Sequence, residues 1–265
     1  MLPSLVNKSL LDWRRAAIGW GIGLTAFTLI YTSFWASVKN NPDLAKLKTG
    51  GLPEGMKKAL GVSDLTTGVG YLHGSIYALI GPLLMIMAAA ILGARAIAGP
   101  EDRHVMDLYL ANPISRRDFV AQRAAALVGV LVGFGLIVWI IPLVLSQVLD
   151  MGVSAVNVSA ASAGLFLLGL LSGTLALAVG AATGRTGTAL AVTGVAAVAG
   201  YIIRALGDTV SWIHPLRWIS PFHYYIGSDP LLNGFNFGYL AVLLGASVVL
   251  VVVALVSFDR RDVRV

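Results

Sequence analysis

Long apolar runs separated by short polar stretches organise the chain, and their lengths predict membrane-spanning helices. A hydrocarbon core of about 30 Å needs about 20 apolar residues in a helix. Six runs come near or exceed that length, at 16–36, 71–98, 124–148, 159–183, 189–206 and 237–258. The second is about 28 residues, or roughly 42 Å if straight, so it must tilt, kink near Gly81-Pro82 or protrude. The fifth is rich in Ala, Val and Gly and poor in Leu, a composition suited to packing among other helices. The expected fold class is an all-α membrane protein, with one membrane domain over residues 1–265.

The polar stretches between the runs differ in character. Residues 1–15 mix Leu2, Leu5, Leu10, Leu11 and Trp13 with Lys8, Asp12, Arg14 and Arg15, as an amphipathic interfacial segment would. Residues 37–70 hold Pro, Gly and Lys and form an outer loop. Spans four and five are joined by Gly184-Arg185-Thr186-Gly187-Thr188, a tight turn. Residues 207–236 are aromatic and half-apolar, so they lie along the membrane surface or re-enter it. Gly-x-x-x-Gly pairs at Gly19/Gly23, Gly129/Gly133, Gly169/Gly173 and Gly180/Gly184 are candidates for close helix approach.

The most unusual stretch is the polar island Glu101–Phe119 between spans two and three. Pro100 suits the first turn of a helix, and Glu101 and Asp102 then face the positive end of its dipole. Val105, Met106, Leu108, Tyr109 and Leu110 are its apolar residues, and Arg103 and Asp107 share a face. Asn112-Pro113 stops that helix, because a residue before proline avoids helical geometry. Ser115 offers an N-cap, with Asp118 three residues on as in a capping box. Arg116 and Arg117 then oppose the dipole of the restarted helix, so something outside that helix must hold them. Helix, break and helix over 100–123 suggests a docking surface for another protein.

Composition and charge fix the orientation. The chain is 57% hydrophobic and 12% charged, with a mean hydropathy of +0.82; a soluble domain carries about 25% charged residues. The net charge is +6, but the basic residues are spread over loops, which speaks for membrane topology and against nucleic acid. Of the 19 Lys and Arg residues, Lys8, Arg14, Arg15, Arg95, Arg103, Arg116, Arg117, Arg123, Arg185, Arg260, Arg261 and Arg264 share the side of the termini. The long first loop supplies most of the others. The positive-inside rule therefore puts both termini and the island in the cytoplasm. The first apolar run is too long for a signal h-region and reads as a retained span.

The island resembles the intracellular loop of ABC-2-type permeases, the membrane subunits of ATP-driven exporters. Glu101 matches an acidic start, Leu108-Tyr109-Leu110-Ala111-Asn112-Pro113 a helix end, and Ser115-Arg116 a restart. His104-Val105 replace a common Gly-Thr. The segment Ser220-Pro221-Phe222, with aromatics around it before the last span, is similar to another feature of that family. Together with six spans and a long first outer loop, the resemblance covers nearly the whole chain. It implies that the island is a cytoplasmic coupling helix that meets an ATPase, with Glu101, Asp107, Tyr109, Leu110, Arg116 and Arg117 as coupling residues. It also implies an outer gate formed by Trp212, Pro215, Trp218, Pro221, Phe222, Tyr224 and Tyr225.

The chemistry that is missing narrows the function. There are no cysteines, so disulfides and thiol catalysis are excluded. No phosphate-binding Gly-x-x-x-x-Gly-Lys loop occurs, so ATP and Mg are expected on a partner chain and no cofactor on this one. His73, His104, His214 and His223 are too scattered for a metal site, and no nucleophile–base set speaks for an enzyme. No carboxylate falls inside a span as drawn, which argues against a proton-driven carrier. The expectation is a permease half that pairs with a second copy or a paralogue among membrane lipids. Docked on an ABC nucleotide-binding subunit in a bacterial plasma membrane, it would export an amphipathic drug, antibiotic or lipid. Such efflux would confer multidrug resistance. The other reading is a non-transporting membrane assembly or immunity component.

Overall fold

A computed structural model describes residues 5–41, 65–102, 115–207 and 214–261. Among the described residues there are helices and connecting turns and no strand. Six helices are long and apolar enough to cross a membrane: Leu10–Asn40, Gly68–Asp102, Arg116–Val148, Ala155–Thr183, Thr186–Gly207 and Phe237–Arg260. With six spans, both ends of the chain lie on one side, called here the terminal side. The second and fourth spans are mostly buried and form the centre, while the first, fifth and sixth are mostly exposed.

Close helix approach explains that centre. A side chain on Gly93 would meet the Gly173 carbonyl oxygen at 2.1 Å, and one on Gly169 would meet Met85 at 2.5 Å. The second and fourth spans therefore touch backbone to backbone at Gly93 and Gly173, the Met85 side chain lies on Gly169, and Gly180 continues the contact against Ala94. The Gly19/Gly23 and Gly129/Gly133 pairs have open space where a side chain would go, so within this chain they make no such contact. Gly-x-x-x-Gly spacing permits close packing, but only neighbours with small side chains turn it into contact.

Several elements differ from the sequence reading. Residues 5–33 form one helix, so the amphipathic N-terminal segment is continuous with the first span instead of lying apart from it. The fifth span is not surrounded by helices: Val192, Val195, Val198 and Ile202 are exposed, and only Ala189, Thr193, Gly200 and Gly207 are buried. Its small residues lie on both faces, and composition alone does not say which face finds a partner. The third span begins at Arg116 and runs 33 residues to Val148; the restart of the island is therefore its first turn. Most of the outer loop 37–70 and island residues 103–114 lie outside the described residues.

The second span is disturbed near Gly81-Pro82, where the sequence allows a kink. A short helix, Gly68–Leu72, runs into a π-helical turn, His73–Tyr77, before the main helix Ile80–Asp102. Pro82 has no N–H to give. In a continued π register the partner of the Tyr77 carbonyl would be the nitrogen of Pro82. That carbonyl instead accepts the Tyr225 hydroxyl at 2.8 Å, the kind of outside donor that lets a proline sit inside a span.

Pro100 lies inside this same helix, Ile80–Asp102, not in the first turn of a new one. The residue before it is Gly99, which lacks the Cβ that makes helical geometry unfavourable before proline. Glu101 and Asp102 thus continue the second span instead of opening a new helix.

Candidate functional site

On the terminal side, four elements converge on a cluster of charges. These two acids are held by other elements. Glu101, buried at the end of the second span, pairs with Arg261 just past the sixth. The Asp102 carboxylate accepts the backbone N–H of Thr186 at 3.1 Å. Thr186 opens the fifth span, so Asp102 does sit at a helix N-terminus, that of a different helix.

The restart of the island is fixed from the same direction. Ser115 is the N-cap of the third span and accepts the Asp118 N–H at 3.0 Å, while its hydroxyl donates to the Asp118 carboxylate at 2.6 Å. Arg116 donates to the backbone carbonyl of Arg261 at 2.7 Å. Arg117 donates through Nε and Nη2 to the Asp259 carboxylate at 3.1 and 2.8 Å. These carbonyl and carboxylate oxygens at the C-terminal end of the sixth span are the outside groups that two dipole-opposed arginines require. Arg261 therefore binds both flanks of the island, Glu101 with its side chain and Arg116 with its backbone.

The turn between spans four and five completes the cluster. Gly184 has φ +67°, and a side chain there would collide with the Glu101 carboxylate and the Arg261 guanidinium. Glycine is thus required twice, for its conformation and for room around the ion pair. Deeper on this side, Arg123 is buried with its guanidinium 5.3 Å from the Phe119 ring and 5.8 Å from the Trp13 ring. Cation–aromatic contact of this kind ties the start of the third span to the first.

Of the expected coupling residues, Glu101, Arg116 and Arg117 come together here. Asp107, Tyr109 and Leu110 lie outside the described residues. Asp102, Gly184, Thr186, Asp259 and Arg261 are the partners that sequence reasoning did not assign. The run Asp259-Arg260-Arg261 at the end of an apolar span was the available signal.

On the opposite side, residues 214–233 fold into a 3-10 turn, His214–Ile219, and two short helices, Pro221–Ile226 and Pro230–Asn233. Ser220 caps the first helix by accepting the Phe222 N–H at 3.2 Å, and its hydroxyl donates to the Gly200 carbonyl at 2.7 Å. A side chain on Gly200 would come within 3.2 Å of the Pro221 ring. The Tyr225 ring lies against Gly164. The hydroxyl bonds continue inward: Tyr77 is 2.8 Å from the Ser162 hydroxyl, which donates to the Val138 carbonyl at 3.2 Å. One chain of bonds thus joins this segment to the second, third and fourth spans.

Among the expected gate residues, Pro215 and Trp218 are exposed, Pro221 and Tyr224 half-buried, and Phe222 and Tyr225 buried. Trp212 lies outside the described residues. Tyr224 donates to the Trp218 carbonyl at 2.8 Å. His223, which the sequence reading did not single out, lies among these residues: it is 3.2 Å from the Tyr239 hydroxyl, with the Trp218, Tyr224 and Tyr239 rings around it.

Six apolar spans, a buried glycine seam and charge kept to the ends define a multi-pass helical membrane protein. The family model for ABC-2 family transporter proteins matches residues 4–263, and the chain belongs to that family. It is thus a membrane permease of an ABC transporter, a class that associates in general with an ATP-binding subunit. No curated protein matches the chain.

Proposed function

We propose that this chain is the permease half of an ABC exporter, and that the terminal-side cluster conveys force from a separate ATP-hydrolysing subunit to the helix bundle. The observation that carries this reading is the double hold of Arg261 on Glu101 and Arg116. A displacement of the polar segment between those residues would be delivered at once to the start of the fifth span and the end of the sixth. The chain itself would hydrolyse nothing; ATP and Mg would belong to the partner. The terminal side would be cytoplasmic, as its excess of arginine suggests.

The opposite segment would act as the outer gate. Ser220 bonds the Gly200 carbonyl within the fifth span, which supports a re-entrant path. The exposed fifth span would pack on a second copy or a paralogue, and the uncharged centre suits an amphipathic cargo such as a drug, antibiotic or lipid. The test is reconstitution with the ATP-binding partner, comparing wild type with Arg116→Glu combined with Arg117→Glu. ATP-dependent transport is expected to fall at least about tenfold, as two broken charge contacts imply. Undiminished partner binding together with undiminished transport would remove the coupling role.

A further inference from the structure

A cavity of about 350 Å³ lies between the fourth and fifth spans and is also lined by Ile86 of the second span and Leu250 of the sixth. Residues 219–222 roof it on the gate side. The volume falls in the range of small-molecule sites, about 300–1,000 Å³, whose walls are mainly apolar with a few placed polar groups. Leu171, Ala197, Gly200 and Phe222 are typical of these walls, and no charged residue lines them. An ionised ligand would find no partner there.

Three hydroxyl-bearing residues line the cavity: Ser172, Ser220 and Thr193. Two are already committed, Ser172 to the Leu168 carbonyl at 2.9 Å and Ser220 to Gly200 and Phe222. Thr193 is different. It is 1% exposed and its hydroxyl has no hydrogen-bond partner. Threonine in a helix ordinarily bonds the carbonyl one turn back, and Thr28, Thr32, Thr174 and Thr183 all do so in this protein. Thr193 forgoes the Ala189 carbonyl, which leaves a donor in an apolar wall. A buried donor without an acceptor is unfavourable, so the site is complete only with an oxygen acceptor brought from outside.

We propose that this cavity binds an uncharged lipophilic molecule taken from the bilayer, with its hydrocarbon body against Leu171, Ala197 and Phe222 and one ester, ketone or ether oxygen accepting from Thr193. This is a binding property of the chain alone, independent of ATP-driven transport.

The full chain in lipid nanodiscs, without any ATPase, would be photolabelled with two probes. One is a long-chain methyl ester carrying a diazirine; the other is an alkane of the same length carrying the same group. Labelling of cavity residues is expected with both, more strongly with the ester. Thr193→Val should lower ester labelling about fivefold, the worth of one hydrogen bond of about 1 kcal/mol, and leave alkane labelling unchanged. Thr193→Ser should restore it. Ala197→Phe, which fills the space, should abolish both while the outward-facing Val249 and Val253 still label. Labels confined to outward-facing residues, or equal ester labelling in wild type and Thr193→Val, would overturn the proposal.

Discussion

At the scale of single residues, charge placement was half legible. The conflict of Arg116 and Arg117 with their helix dipole is visible in the sequence and demands an outside partner. Which partner is not visible, because Asp259 and Arg261 are more than 140 residues away. Glu101 and Asp102 misled for a different reason: Gly99-Pro100 reads as an end and a beginning, yet a glycine before proline lets the helix continue. The two ion pairs that result are unequal. Glu101 and Arg261 have side chains 6% and 19% exposed, whereas Asp259 and Arg117 are 36% and 73% exposed. Removing one member of a buried pair strands the other, so Arg261→Ala should lower stability by about 3 kcal/mol. Arg117→Ala should cost less than about 1 kcal/mol, because water already screens that pair. Denaturant unfolding in detergent would measure both.

Among elements, the spans themselves were readable because bilayer thickness dictates their length. Their roles were not. Four Gly-x-x-x-Gly pairs look alike on paper, yet Gly169/Gly173 lies in the central seam and Gly19/Gly23 faces open space. The difference arises from the opposing helix, since the second span supplies Gly93 and Ala89 where closeness is possible. Gly93→Ala should therefore destabilise the bundle by about 3 kcal/mol through overpacking. Gly23→Ala should stay within about 0.5 kcal/mol. A thermal-shift comparison of the two purified variants would separate them. The segment 214–233 shows the same limit: Ser220-Pro221 announces a helix start, but nothing local indicates that the Ser220 hydroxyl reaches Gly200.

For the whole molecule, six spans with both ends on one side followed from hydropathy alone, whereas the identity of the central pair did not. The fifth span was read as enclosed and is largely open in a single chain. A second copy on that face would reconcile its small residues with its exposure. Because the chain has no native cysteine, Val195→Cys is a clean probe. Oxidation in membranes should yield a covalent dimer if two copies meet there, whereas Val249→Cys on the sixth span should yield far less. Absence of a dimer band at Val195 would place the partner elsewhere. The charge cluster also has a consequence in time. Glu101 and Arg261 are 160 residues apart, and a ribosome adds about 5–20 residues per second. The acid therefore waits roughly 8–30 s during synthesis for its counter-ion, and both flanks of the island are secured only once the last span has been made. A docking partner that reads those flanks would recognise finished chains and pass over unfinished ones.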